Sequence, residues 1–130
     1  MSDVVTRGLV AGHADFAAGL ISAVDMITGR GDVLAGIKVT GMCGADIETL
    51  LRETMVASGA RVIFTDLQAG SCTMAARRVQ REMPGVILVA GANLPMLLDF
   101  VLSRNPDPLE AAAKAAEKGR TSVSVHGGTP

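Results

Sequence analysis

The stretch Val4-Val5-Thr6-Arg7-Gly8-Leu9-Val10-Ala11-Gly12-His13, followed by a helix-patterned run from Ala14 to Gly29, decides how this chain is read. Val4–Ala11 is an apolar, strand-like run, weakened in its middle by Arg7 and Gly8. Phe16, Leu20, Ile21, Val24 and Ile27 then recur at helical spacing, so Asp15–Thr28 is predicted to be a helix that Gly29 closes. His13 stands at the join. In an open α/β sheet, ligands and chemistry collect where a strand passes into the following helix.

Working outward, the same alternation repeats. Val33–Val39, bracketed by turn-like Gly31-Asp32 and Thr40-Gly41, is a second strand. Asp46–Ser58 is a second helix, with Ile47, Leu50, Leu51 and Met55 on one face and Gly59 as its stop. Arg61–Thr65 is a third strand running into Asp66, and a third helix spans Ser71–Glu82 with Pro84 beyond its end. Gly85–Ala90 is a fourth strand whose continuous apolar run predicts burial on both faces. Leu94–Ser103 is a helix with Pro95 in its first turn, and Leu109–Lys118 is an Ala-rich helix ended by Gly119. Thr121–Val125 is a short strand of alternating Ser and Val, and a loose tail follows.

This order predicts an α/β fold: a mostly parallel open sheet, strand order 2-1-3-4, with helices on both faces. An extra helix separates the last strand from the rest, which leaves it two places: antiparallel in its own sheet, or paired outside its own subunit. At 130 residues the chain is read as one domain, 1–130.

Composition narrows the function classes. Apolar residues make up 48% of the chain, enough for a real core, but aromatics only 2%, which removes the stacking platforms of single-strand binders. A net charge of −1 leaves no electrostatic footprint for nucleic acid. No apolar stretch approaches the roughly 20 residues that span a bilayer, so direct membrane insertion is not expected. Met1-Ser2-Asp3 lacks the basic-then-apolar layout of a signal peptide. Cys43 and Cys72 form no CxxC, and no zinc spacing surrounds His13, so neither a metal nor any other cofactor is expected. Free thiols in an unsignalled chain imply a cytoplasmic location.

With strands one and three adjacent, His13 and Asp66 face each other across one crevice. A carboxylate that accepts from one imidazole nitrogen fixes the tautomer and leaves the other nitrogen with a free lone pair. That pair reads as an activated nucleophile, suited to taking up a phosphoryl group and handing it on; from the residues alone His13 equally reads as a solvated or capping residue at the helix start, and Asp66 as the first residue of a turn. After Asp66, Leu67-Gln68-Ala69-Gly70-Ser71 leads into a helix start, where backbone N–H groups favour anions. Gly70 and Ser71 are therefore the candidate phosphate-binding residues, although Ser71 also suits a plain helix N-cap. The loop is not a Walker A sequence, and no paired acidic residues mark a Mg²⁺ site. Cys72 reads as a packing cysteine in preference to a thiol activated by the helix end, and Cys43 as structural or inert.

Three stretches, Gly12-His13-Ala14-Asp15-Phe16-Ala17-Ala18-Gly19-Leu20, Phe64-Thr65-Asp66-Leu67-Gln68-Ala69-Gly70-Ser71 and Gly91-Ala92-Asn93-Leu94-Pro95-Met96-Leu97-Leu98, keep their order and rough spacing over nearly the whole chain. Together they resemble the mannose-type EIIA domains of the bacterial phosphoenolpyruvate:sugar phosphotransferase system. The resemblance implies a phosphocarrier for sugar uptake, in which His13 accepts a phosphoryl group from phospho-HPr and passes it to a IIB domain. It implies that Asp66 hydrogen-bonds the active imidazole and that Ser71 lies beside the phosphoryl group. It further implies a homodimer in which Thr121–Val125 pairs, antiparallel, with the partner's sheet. The chain departs from the family pattern at Ala14, often Gly, and at Ala69-Gly70-Ser71-Cys72, commonly Gly-Gly-Ser/Thr-Pro. Loss of the first Gly removes a left-handed backbone option, and loss of Pro frees the loop. Two other readings share the fold: a regulatory or signalling module, and the phosphocarrier subunit of a dihydroxyacetone kinase.

Overall fold

The structure, a computed structural model, describes residues 4–130; Met1-Ser2-Asp3, on which the signal-peptide expectation rests, lie outside the described residues. Four strands, β1 (Gly8–Ala11), β2 (Leu34–Ile37), β3 (Val62–Thr65) and β4 (Ile87–Ala90), form one sheet in the order β2-β1-β3-β4. All three pairings are parallel. Five helices connect and follow them: α1 (Phe16–Thr28), α2 (Gly44–Ser58), α3 (Ser71–Glu82), α4 (Leu94–Leu102) and α5 (Pro108–Thr121). The predicted fold class and strand order are both present.

The period-two alternation of the strands sorts the helices onto two faces. Val10, Val62 and Phe64 point to one side, into a core built with Val24 of α1, Leu97 and Phe100 of α4 and the alanines of α5. Leu9, Ala11 and Ile63 point to the other, against Ile47, Leu51 and Met55 of α2 and Cys72, Ala75 and Val79 of α3. Phe64 and Phe100 meet edge to face, with ring centroids 4.8 Å apart.

Helix ends follow their local signals. Gly29 and Gly59 close α1 and α2 in the left-handed conformation, at φ +70° and +77°, as glycine alone does cheaply. Asn93 caps α4 by accepting from the Met96 amide, and Asp107 caps α5 by accepting from the Leu109 amide.

Four expectations are corrected. β1 begins at Gly8, not Val4; its partner β2 begins only at Leu34, and Val4 and Val5 are exposed. β4 is half-buried along its length, not covered on both faces, because it is the edge strand of the order. Gly119 does not end α5 but lies buried inside it. A Cβ there would stand 2.8 Å from both Asn93 Oδ1 and Met96 Cβ, while the Gly119 carbonyl accepts from Asn93 Nδ2 at 3.0 Å. Glycine serves here for close approach of α5 to α4. Finally, Thr121 belongs to α5, and residues 122–130 form no strand. The Thr121 hydroxyl donates back to the Glu117 carbonyl at 3.0 Å, which continues the helix. Val123 and Val125 are exposed and meet no sheet edge of their own chain, so antiparallel pairing within one subunit does not occur.

Candidate active site

The parallel register sets the site. Ala11, the last residue of β1, pairs with Thr65, the last of β3, so the chain leaves both strands at the same level. Two residues beyond Ala11 is His13, and one beyond Thr65 is Asp66. Asp66 Oδ2 accepts from the His13 backbone amide and lies 2.7 Å from its ring Nδ1, also 2.7 Å for the amide. Asp66 Oδ1 accepts from the Leu67 amide at 3.0 Å.

These contacts set the charge of the carboxylate and the orientation of the ring. Burial raises the Asp66 carboxyl, but the backbone and side-chain hydrogen bonds from His13 and the attraction of its charge outweigh that, and the net shift is below the usual carboxylate value. The ionised carboxylate can only accept. His13 Nδ1 is therefore the donor to Asp66, and in the neutral ring the lone pair lies on Nε2. The Asp66 side chain is 7% exposed and the His13 side chain 62% exposed, so a shielded anion holds an imidazole that stands open to incoming molecules.

Gly70 is buried against the imidazole, where an added Cβ would be 3.3 Å from His13 Cε1. Gly70 is the N-cap of α3, and the Met74 amide is the first to find a carbonyl, that of Gly70. The amides of Ser71, Cys72 and Thr73 make no hydrogen bond to protein among the described residues. They are the free donors of a helix start placed next to the ring. Ser71 is the exposed first residue of α3 and not its cap.

The structure thus brings His13, Asp66 and Gly70 into contact and sets Ser71 directly after them. It also shows three residues that the sequence reading passed over. Gly12 is the first: a Cβ there would fall 2.6 Å from Phe16 Cδ2 and 2.9 Å from Asp66 Cγ. The others are Thr65 and Thr73, both buried. Thr73 Oγ1 donates to the Leu67 carbonyl, so its oxygen accepts from Thr65 Oγ1, 2.6 Å away. That pair ties the loop after Asp66 to the end of β3. A glycine immediately before the histidine, and threonines flanking the loop, were the available signals.

The Gly12 geometry gives a direct expectation. In Gly12→Ala, the methyl and the Asp66 carboxylate compete for one space. Overpacking of this kind costs about 1–3 kcal/mol, and misplacement by about 1 Å lowers a rate on the order of 10²-fold. Thermal melting should show the first effect. The second should appear as slower modification of the His13 imidazole by diethyl pyrocarbonate far below the melting temperature, where a purely structural defect would leave the rate unchanged.

Departures from the family pattern fall differently than expected. Ala14, not Ala69, adopts the left-handed conformation, at φ +48°. Such a residue carries roughly 1–2 kcal/mol of backbone strain that glycine would relieve. Cys72 is fully buried; burial first, then the nearby Asp66 charge, pushes its thiol up against a smaller opposing hydrogen bond from Ser71. It packs with the α2–α3 core and is not an activated thiol. Cys43 is exposed and has no packing role. Among the described residues, no group of three His, Cys, Asp or Glu side chains could hold a metal ion, and no helix is long and apolar enough to cross a membrane.

Comparison with known proteins places the chain and its fold. The family described as "PTS system fructose IIA component", of the EIIA-man type, matches residues 8–117. No curated protein matches. Among solved structures, the chain is similar to the mannose/sorbose-specific IIA subunit of the phosphotransferase system from Enterococcus faecalis, with a TM-score of 0.84, 21% identity and 98% of each chain covered. It is similar to the PTS IIA protein associated with the fucose utilization operon of Streptococcus pneumoniae, with a TM-score of 0.76, 22% identity and 96% of each chain covered. A sigma-54 interaction domain protein from Enterococcus faecalis shares the fold more distantly, with a TM-score of 0.68, 14% identity, 93% of this chain and 94% of that one covered.

Proposed function

The chain belongs to the mannose-type IIA family of sugar phosphotransferase systems, and from that premise we propose that residues 1–130 act as one cytoplasmic phosphocarrier domain with His13 as its phosphoryl acceptor. The observation that carries this reading is the shared Asp66 Oδ2, which holds both the amide and the ring of an exposed histidine.

In the proposed reaction, the His13 Nε2 lone pair attacks the phosphorus carried by phospho-HPr. A new N–P bond forms, the bond from phosphorus to the donor breaks, and its electron pair stays with the donor. Asp66 balances the positive charge that the ring gains. The free amides of Ser71, Cys72 and Thr73, with the Ser71 hydroxyl and the uncrowded edge at Gly70, receive the phosphoryl oxygens. Transfer to a IIB domain reverses the steps with a new acceptor. An open site suits relay between two proteins, of which the donor must bring its phosphoryl group, and the acceptor its nucleophile, into line with His13.

We further propose a homodimer in which residues 122–125, the part of the predicted strand that lies beyond α5, add to the partner's sheet. Their exposure and their Ser/Val alternation suit an edge strand that its own chain does not use.

Incubation with phosphoenolpyruvate, enzyme I and HPr should raise the intact mass by one phosphoryl group, acid-labile and base-stable, and a cognate IIB domain should discharge it. Absence of the mass gain would sink the reading. Phosphorylation with very slow discharge, and phosphorylation-dependent capture of another protein, would favour the regulatory module. Discharge to a dihydroxyacetone-kinase nucleotide subunit would favour that branch instead.

A further inference from the structure

At the end of the sheet opposite His13, where the strands begin, three arginines converge on one cavity of about 390 Å³. Arg7 directly precedes β1; Arg30 follows α1, and Arg104 follows α4. Ser103 and Asn105 complete the polar lining, and no acidic residue takes part.

Arg7 is held in place rather than waving in solvent. Its Nη1 donates to the Val101 carbonyl at 3.1 Å, and its guanidinium carbon lies 4.8 Å above the centre of the Phe100 ring. Burial, and secondarily the Arg30 charge, lowers its affinity for its own proton. Elsewhere Arg52 and Arg78 share Glu48 and Arg120 meets Glu117, whereas Arg61, Arg77 and Arg81 form no ion pair among the described residues. Among the described residues, Arg7, Arg30 and Arg104 form no ion pair with a carboxylate.

The C-terminal ends of α1 and α4 offset part of this charge, since each contributes roughly half a negative unit. About two positive units are left over. The remaining polar groups are donors as well. Asn105 Oδ1 is occupied by the Asp107 amide at 2.9 Å, which leaves Nδ2 to donate. Ser103 Oγ accepts from the Asn105 amide at 3.2 Å, which leaves its hydrogen free. Guanidinium, amide and hydroxyl donors around a cavity of small-molecule size are the complement of an oxyanion on a polar body.

We propose that this cavity binds a phosphate-bearing small molecule, with Arg7 as the fixed guanidinium and Arg30 and Arg104 closing on the anion from the rim. This site stands independently of the reading at His13.

Calorimetric and amide-NMR titration of the full chain with inorganic phosphate, and separately with a hexose 6-phosphate, tests it. Saturable binding is expected, with shifts centred on residues 7, 30 and 101–105. The double variant Arg30→Gln/Arg104→Gln should weaken it at least tenfold, and His13→Ala should leave it unchanged. Tighter binding of the hexose phosphate identifies a sugar phosphate as the ligand; equal binding identifies phosphate itself. The proposal is overturned if neither probe saturates at millimolar concentration, if shifts centre on His13 and residues 66–73, or if the double variant binds as well as the parent. Binding of an acidic peptide with no response to either phosphate would overturn it too.

Discussion

His13→Ala is expected to abolish phosphoryl uptake from phospho-HPr altogether, because it removes the proposed nucleophile. The rest of the structure should survive the change. The His13 side chain is 62% exposed, and one of its two bonds to Asp66 comes from the backbone amide, which alanine retains. Losing the ring's hydrogen bond to Asp66 costs on the order of 1 kcal/mol. Intact mass after incubation with the donor system, read beside the melting temperature, separates the two outcomes. An alanine variant that melts normally and still gains one phosphoryl group would move the acceptor elsewhere and remove the basis of the proposed relay.

Asp66→Asn is expected to keep the shape and lose most of the rate. The amide oxygen can still accept from His13, but the charge that balances the phosphorylated ring is gone, and the amide can equally present its NH2 group to Nδ1. Loss of one such electrostatic partner lowers catalysis about 10²- to 10³-fold. The phosphorylation rate should fall by that order while His13 remains the modified residue. The pH dependence has a definite sign. Because the Asp66 carboxyl is held below its ordinary value, it favours the folded state fully above the unfolded value of about 3.9. That contribution disappears as pH falls through the lower folded value. The stability difference between wild type and Asp66→Asn should therefore be flat from neutrality down to about pH 5 and shrink only in stronger acid. A difference that vanished between pH 6 and 8 would contradict an ionised, His13-bound Asp66.

Both predictions concern residues that stood out in the sequence, and the reason is local. The apolar run up to Ala11 and the helical spacing from Phe16 put His13 at a strand-to-helix join, and the run Arg61–Thr65 did the same for Asp66. Gly70 was legible as the start of α3. Gly12 was not legible as a site residue, because its importance is the empty space where Asp66 and Phe16 approach. Thr65 and Thr73 escaped notice for a similar reason: their hydroxyls matter only once α3 folds back over the end of β3. Gly119 looked like a helix stop, and only the nearness of Asn93 and Met96 reveals a helix interior that needed room.

The alternation of strands and helices, their glycine and asparagine ends, and the presence of a histidine and an aspartate at strand exits follow from neighbours three or four residues apart, which pattern reading can see. The pairing of Ala11 with Thr65 is another matter, as are the 2.7 Å contacts between residues 53 positions apart and the half-burial of β4. So is the convergence of Arg7, Arg30 and Arg104. These depend on strand register and on tenths of an ångström between side chains brought together by the whole core. Residues 121–125 show the same boundary from the other side: their alternation is that of a strand, but a strand exists only where an edge is available to pair with it.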